Sequence, residues 1–124
     1  MSGNTEIPPQ VQNLLAQLQQ LRVQLEALGR QKMQVEAMLR DAENALDELD
    51  NVSDDALIYK NVGELMIKAD RAEVKEELAE KKETYSLRQK TLERQEERGQ
   101  KRFQQLQQQL QEALGAVSGP STTA

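Results

Sequence analysis

The chain has 124 residues, of which 30% are charged, a formal net charge of −5, and no Cys, His or Trp. With Tyr59, Tyr85 and Phe103 as its only aromatics it is poorly supplied for a compact core, and its wealth of Leu, Gln, Glu and Ala suits long helices instead. Without His, Cys or a G-x-x-x-x-G-K-[ST] run, metal, triad and P-loop chemistry lack their parts, so no enzyme and no cofactor is expected.

The acidic balance, and a basic cluster at Arg98–Arg102 that lacks interleaved aromatics, argue against nucleic acid. Apolar runs such as Ala56-Leu57-Ile58 are too short to span a bilayer. The opening MSGNTEIPP has neither a basic nor an apolar stretch of the secretory kind, so the cytoplasm is the expected location.

Residues 1–8 read as an N-terminal extension. From Val11 the positions 11, 14, 18, 21, 25, 28, 32, 35, 39, 42, 46 and 49 step by alternating threes and fours, and all are apolar except Lys32. A seam that keeps this spacing marks a coiled-coil helix, predicted here over 9–50, with Pro8 and Pro9 at its start. Lys32 is expected to lay its stem along the seam with its head in water.

Residues 51–69 interrupt the pattern. Asn51, Ser53, Asp54 and Asp55 form a breaker cluster, and Asn61 and Gly63 supply turn chemistry. Leu65, Ile67 and Ala69 alternate with Glu64, Met66 and Lys68, as in a strand, but Ile58, Val62, Leu65 and Ala69 also step by fours and threes, as in a helix. The breakers, and the cost of Gly63 inside a helix, favour a β-hairpin. An isolated two-stranded ribbon is marginal and has two unpaired edges, so Leu57, Ile58, Tyr59, Val62, Leu65 and Ile67 are expected to form a subunit-assembly site.

Asp70 and Glu73 then open a second helix, predicted over 70–115, as a D-x-x-E cap. Its seam runs through Leu78, Lys82, Tyr85, Gln89, Leu92, Glu96, Gly99, Phe103, Leu106, Leu110, Ala113 and Val117, diluted by polar residues early and nearly all apolar late. Glu26 with Arg30, Glu36 with Arg40, Glu77 with Lys81 and Glu97 with Lys101 are i,i+4 pairs expected on solvated faces. The run GAVSGPSTTA leaves 116–124 as a disordered tail.

Two seams of matching length about a short break predict a mainly α fold: a long antiparallel two-helix coiled coil with one central β-hairpin. Counting outward from Leu49 beside Val74 brings Leu18 near Leu106, and Gly29 near Gly99. That glycine pair is either a zone of flexure or a tolerated defect.

The segments PPQVQNLLAQLQQL, YKNVGELMIKAD and LRQKTLERQEER together resemble the prefoldin family. One central hairpin rather than two resembles its archaeal β-type. The resemblance implies an ATP-independent chaperone, a holdase, in which hairpins of two α-type and four β-type subunits join into an intersubunit β-barrel. It implies further that coiled-coil tips hold unfolded client proteins and pass them to a group II chaperonin. On that picture the client-binding residues are Leu14, Leu15, Leu18, Phe103, Leu106, Leu110 and Leu114, with Leu15 and Leu114 off the ideal seam. A generic coiled-coil scaffold that binds one folded partner is the alternative, and it predicts a mostly helical midpoint.

Overall fold

In the computed structural model, which describes residues 7–118, the elements run α1 (Pro9–Asn51), β1 (Ile58–Val62), β2 (Leu65–Ala69) and α2 (Arg71–Ser118). Pro8 precedes α1 and its carbonyl accepts from the Gln12 amide at 3.0 Å, while Pro9 occupies the first turn, where its missing N–H costs nothing. Asp70 caps α2: its Oδ2 accepts from the Glu73 amide at 3.3 Å and its carbonyl from the Val74 amide at 3.0 Å.

The second helix extends to Ser118, three residues into the segment expected as a disordered tail. Gly115 weakens a helix interior by about 1 kcal/mol but does not end one when Ala116 follows. The rest of that tail, and residues 1–6 of the expected extension, lie outside the described residues.

The chain divides into two compact units. One, here the terminal unit, takes the described residues up to Arg30 and from Glu93 on; the other, the hairpin unit, is Gln31–Leu92. In each unit a stretch of α1 packs against an antiparallel stretch of α2.

The terminal unit holds a cluster of Val11, Leu14, Leu106 and Ala113, with Leu18, Leu21 and Leu110 packed against it. Leu106, at 2% exposure, is its most buried side chain, and burial of a leucine on that scale stabilises by about 1.5–3 kcal/mol. In the hairpin unit Val35, Ala42, Leu49 and Leu92 are buried. Every buried hydrophobic residue among those described lies on one of the two seams, as a 3.5-residue repeat requires of the helix pair within each unit.

Ion pairs across the helices of the hairpin unit follow the same register: Asp50 with Lys75 at 3.1 Å and Glu43 with Lys82 at 3.9 Å. These half-exposed pairs contribute about 0–1 kcal/mol each, so they report alignment more than stability. Glu97 meets Lys101 at 3.8 Å as its spacing suggests, whereas Glu26 meets Arg22 at 3.6 Å and Glu77 meets Lys60 of β1 at 3.2 Å. Lys60 and Glu77 are 17 residues apart in the chain, so local spacing does not reveal their pairing.

β1 and β2 pair antiparallel, with Ile58 opposite Ala69, Tyr59 opposite Lys68, Lys60 opposite Ile67, Asn61 opposite Met66 and Val62 opposite Leu65. The turn is Gly63-Glu64, and Gly63 has φ 61°, the left-handed value that a type II′ turn needs at its first position. A helix cannot hold that residue, so the midpoint is a hairpin.

Candidate functional site

Cross-strand partners share a face of the hairpin, so the register sorts its side chains. Ile58, Lys60, Val62, Leu65, Ile67 and Ala69 lie on one face, and Tyr59, Asn61, Met66 and Lys68 on the other. The first face is covered only at its root. There Ile58 is half-buried in a groove of about 430 Å³ that it shares with Leu49, Val52, Leu57, Val74 and Leu78.

Further along, Val62, Leu65 and Ile67 stand in solvent, as do Leu57 and Tyr59. Of the six residues expected at an assembly site, Ile58 is half-buried and the other five are exposed. Met66, the most exposed of all at 71%, escaped the sequence reading because strand alternation placed it with Glu64 and Lys68. A long apolar side chain among polar ones was the available signal. Seven apolar side chains thus lie on and beside a ribbon whose two edges are unpaired within the chain.

The residues expected to hold clients all belong to the terminal unit and differ in access. Leu14 and Leu106 are buried in its cluster; Leu18, Leu110 and Phe103 are half-buried; Leu15 and Leu114 are exposed at 43% and 48%. Their place off the seam turns these last two outward, away from the facing helix. Phe103 and Leu25 form the apolar floor of a shallow groove of about 460 Å³, rimmed by Arg22, Glu26, Gln100, Gln104 and Gln107. Arg22 and Glu26 pair at 3.6 Å, so the rim is net neutral and the groove offers apolar surface, amides and one ion pair.

A model of the prefoldin subunit family matches residues 12–116. The chain belongs to the prefoldin family. It is 58% identical over 93 residues to a prefoldin β subunit from Archaeoglobus fulgidus, covering 75% of this chain and 80% of that one. A prefoldin β subunit from Pyrococcus furiosus is 45% identical over 92 residues, covering 74% and 79%.

Among solved structures, the prefoldin β subunit of Thermococcus strain KS-1 superposes with a TM-score of 0.80 at 42% identity, over 88% of this chain and 96% of that one. The β2 subunit of the same strain, at 14% identity and a TM-score of 0.67, shares the fold. The prefoldin membership makes this chain a chaperone subunit, and prefoldin subunits work in oligomers with other prefoldin subunits. No helix among the described residues is long and apolar enough to cross a membrane.

Proposed function

We propose that the chain is a β-type subunit of a cytoplasmic prefoldin hexamer with two α-type and four β-type members, an ATP-independent holdase for unfolded proteins that passes its clients to a group II chaperonin. The hairpin residues Leu57, Ile58, Tyr59, Val62, Leu65 and Ile67, with Met66 added, join neighbouring subunits. Leu15 and Leu114, backed by Leu14, Leu18, Phe103, Leu106 and Leu110, hold clients at the coiled-coil tips.

The observation that carries this reading is the exposure of Leu15 and Leu114 beside the buried cluster of the terminal unit. Residues needed only to pair the two helices would be covered by them. A client burying about 400 Å² of apolar surface on one such patch gains roughly 10 kcal/mol, against an association cost of roughly 4–15 kcal/mol. A single patch therefore binds weakly, and several on one particle gain by effective concentration.

The test mixes the chain with an archaeal prefoldin α subunit, measures native mass, and assays the particle for suppression of a denatured client's aggregation without nucleotide. A hexameric mass with suppression is expected. A particle that assembles but leaves aggregation unchanged overturns the holdase reading; a helical dimer that ignores the α subunit favours a scaffold.

A further inference from the structure

The end of α1 lacks what a helix C-terminus ordinarily has. No Gly stands in Asn51-Val52-Ser53-Asp54-Asp55 to take a left-handed cap. The last turn has no basic residue and carries Glu48 and Asp50, acidic charge at the negative end of the helix dipole.

One side chain from elsewhere supplies the deficit. Arg71 Nη2 donates to the Leu49 carbonyl, and Nη1 donates to the carbonyls of Val52 at 3.2 Å and Ser53 at 3.0 Å. The same nitrogen lies 3.7 Å from Asp54 Oδ1. Arg71 is the first residue of α2, so its guanidinium bridges both roots of the hairpin, where the chain leaves α1 and where it re-enters a helix. A second tie, Lys60 to Glu77 at 3.2 Å, fastens the middle of β1 to α2.

We infer that Arg71 is a positioning residue for assembly, setting the angle at which the hairpin leaves the helices so that its apolar strands meet neighbouring subunits already oriented. This rests on the proposal that the hairpin is the assembly site. The reasoning is one of preorganisation: a ribbon free to swing at two loose roots loses that freedom on association, and the loss weakens binding without altering any interfacial contact. The planar fork suits the task, since two nitrogens reach three carbonyls, whereas a lysine ammonium offers one point of attachment. Arg71 is also partly shielded, its side chain at 27% exposure, so water competes less for those carbonyls than at an open helix end.

The test uses the full chain with its α partner. Arg71→Met and Arg71→Lys are compared with the parent for helicity, for the concentration at which the particle dissociates, and for spin-label distances between Glu64→Cys and Glu80→Cys, labelled uniquely because the chain has no Cys. Helicity retained, a broadened distance distribution in the dissociated chain, and dissociation at roughly ten-fold higher concentration in both variants are expected, as befits hydrogen bonds to a charged group. An unchanged distance distribution, an unchanged dissociation concentration, or full rescue by Arg71→Lys overturns the inference. Leu65→Lys separates the two layers. If it too leaves the particle intact, the hairpin is not the assembly site; if it disrupts the particle while the Arg71 variants do not, only the positioning role falls.

Discussion

Leu25 lies so close to the backbone of Gly99 that a methyl group at residue 99 would come within 2.6 Å of Leu25 Cδ2 and 3.4 Å of its Cγ. Gly29 sits in a roomier place: a methyl group there would meet only Glu96 Oε2, at 3.9 Å. Two glycines that look alike in sequence therefore differ in kind, one being a seat for a seam leucine and the other an unfilled helix position.

Different outcomes follow for their alanine variants. Gly29→Ala should stabilise by about 1 kcal/mol through helix propensity alone. Gly99→Ala gains the same propensity but must move the tip of the Leu25 side chain aside, and should stabilise less than Gly29→Ala. Thermal midpoints of the two variants check this, and equal stabilisation by both would show that Leu25 moves aside freely. Gly99 packs against Leu25, whereas Gly29 leaves room for a side chain.

How far the fold could be read in advance depends on how local its causes are. The seams were legible because a 3.5-residue repeat needs only residue type and spacing, and Val11, Val35, Ala42, Leu49, Leu92 and Leu106 are buried on that account. The hairpin was legible less cleanly, since Ile58, Val62, Leu65 and Ala69 satisfy helical spacing too, and the positive φ of Gly63 decides between them. At the candidate site, departure from the seam marked Leu15 and Leu114 as outward-facing. The Arg71 clamp, the Lys60–Glu77 tie and the Leu25–Gly99 contact were not legible, because each joins residues that are neighbours only once the chain has folded back.

For the hairpin, Leu65→Lys is a cleaner probe than Ile67→Lys. Ile67 pairs with Lys60, so a lysine there would set two ammonium groups opposite each other and damage the ribbon itself; Leu65 pairs with Val62. Leu65 is 66% exposed in the single chain, so its replacement should leave monomer helicity unchanged. Burying the new charge between subunits would cost several kcal/mol per site, and native mass at micromolar concentration should fall to dissociated species. Retention of the parent's mass would remove the hairpin from the interface.

The Gly63 turn offers a milder version of the same experiment. Gly63→Ala forces a φ of 61° on a residue that disfavours it by roughly 1–2 kcal/mol, and open space around the position rules out a clash as the cause of any effect. Faster amide exchange confined to residues 58–69, with the helices unchanged, is the expected result. Exchange as slow as in the parent would show that the turn tolerates the substitution.

Client holding is tested where exposure and packing diverge within one unit. Leu15 and Leu114 are exposed, whereas Leu106 is buried in the cluster with Val11, Leu14 and Ala113. Changing Leu15 and Leu114 together to Ser loses a little helix propensity and the covered part of two exposed side chains, less than the loss of a buried leucine, so helicity and particle mass should hold while aggregation suppression weakens. Leu106→Ser removes a packed side chain, at about 2–5 kcal/mol by comparison with other buried leucines, and should loosen the helix pair as well as reduce suppression. The contrast matters because loss of suppression with loss of structure is uninformative by itself. A truncation to residues 22–102 extends the argument: it deletes Leu14, Leu15, Leu18, Phe103, Leu106, Leu110 and Leu114 but spares Arg71 and the whole hairpin. It should assemble by native mass and fail to suppress aggregation in a light-scattering assay. Undiminished suppression by that truncated, assembled particle, or by the Leu15 and Leu114 double variant, would transfer the client site from the chain ends to surfaces within residues 22–102.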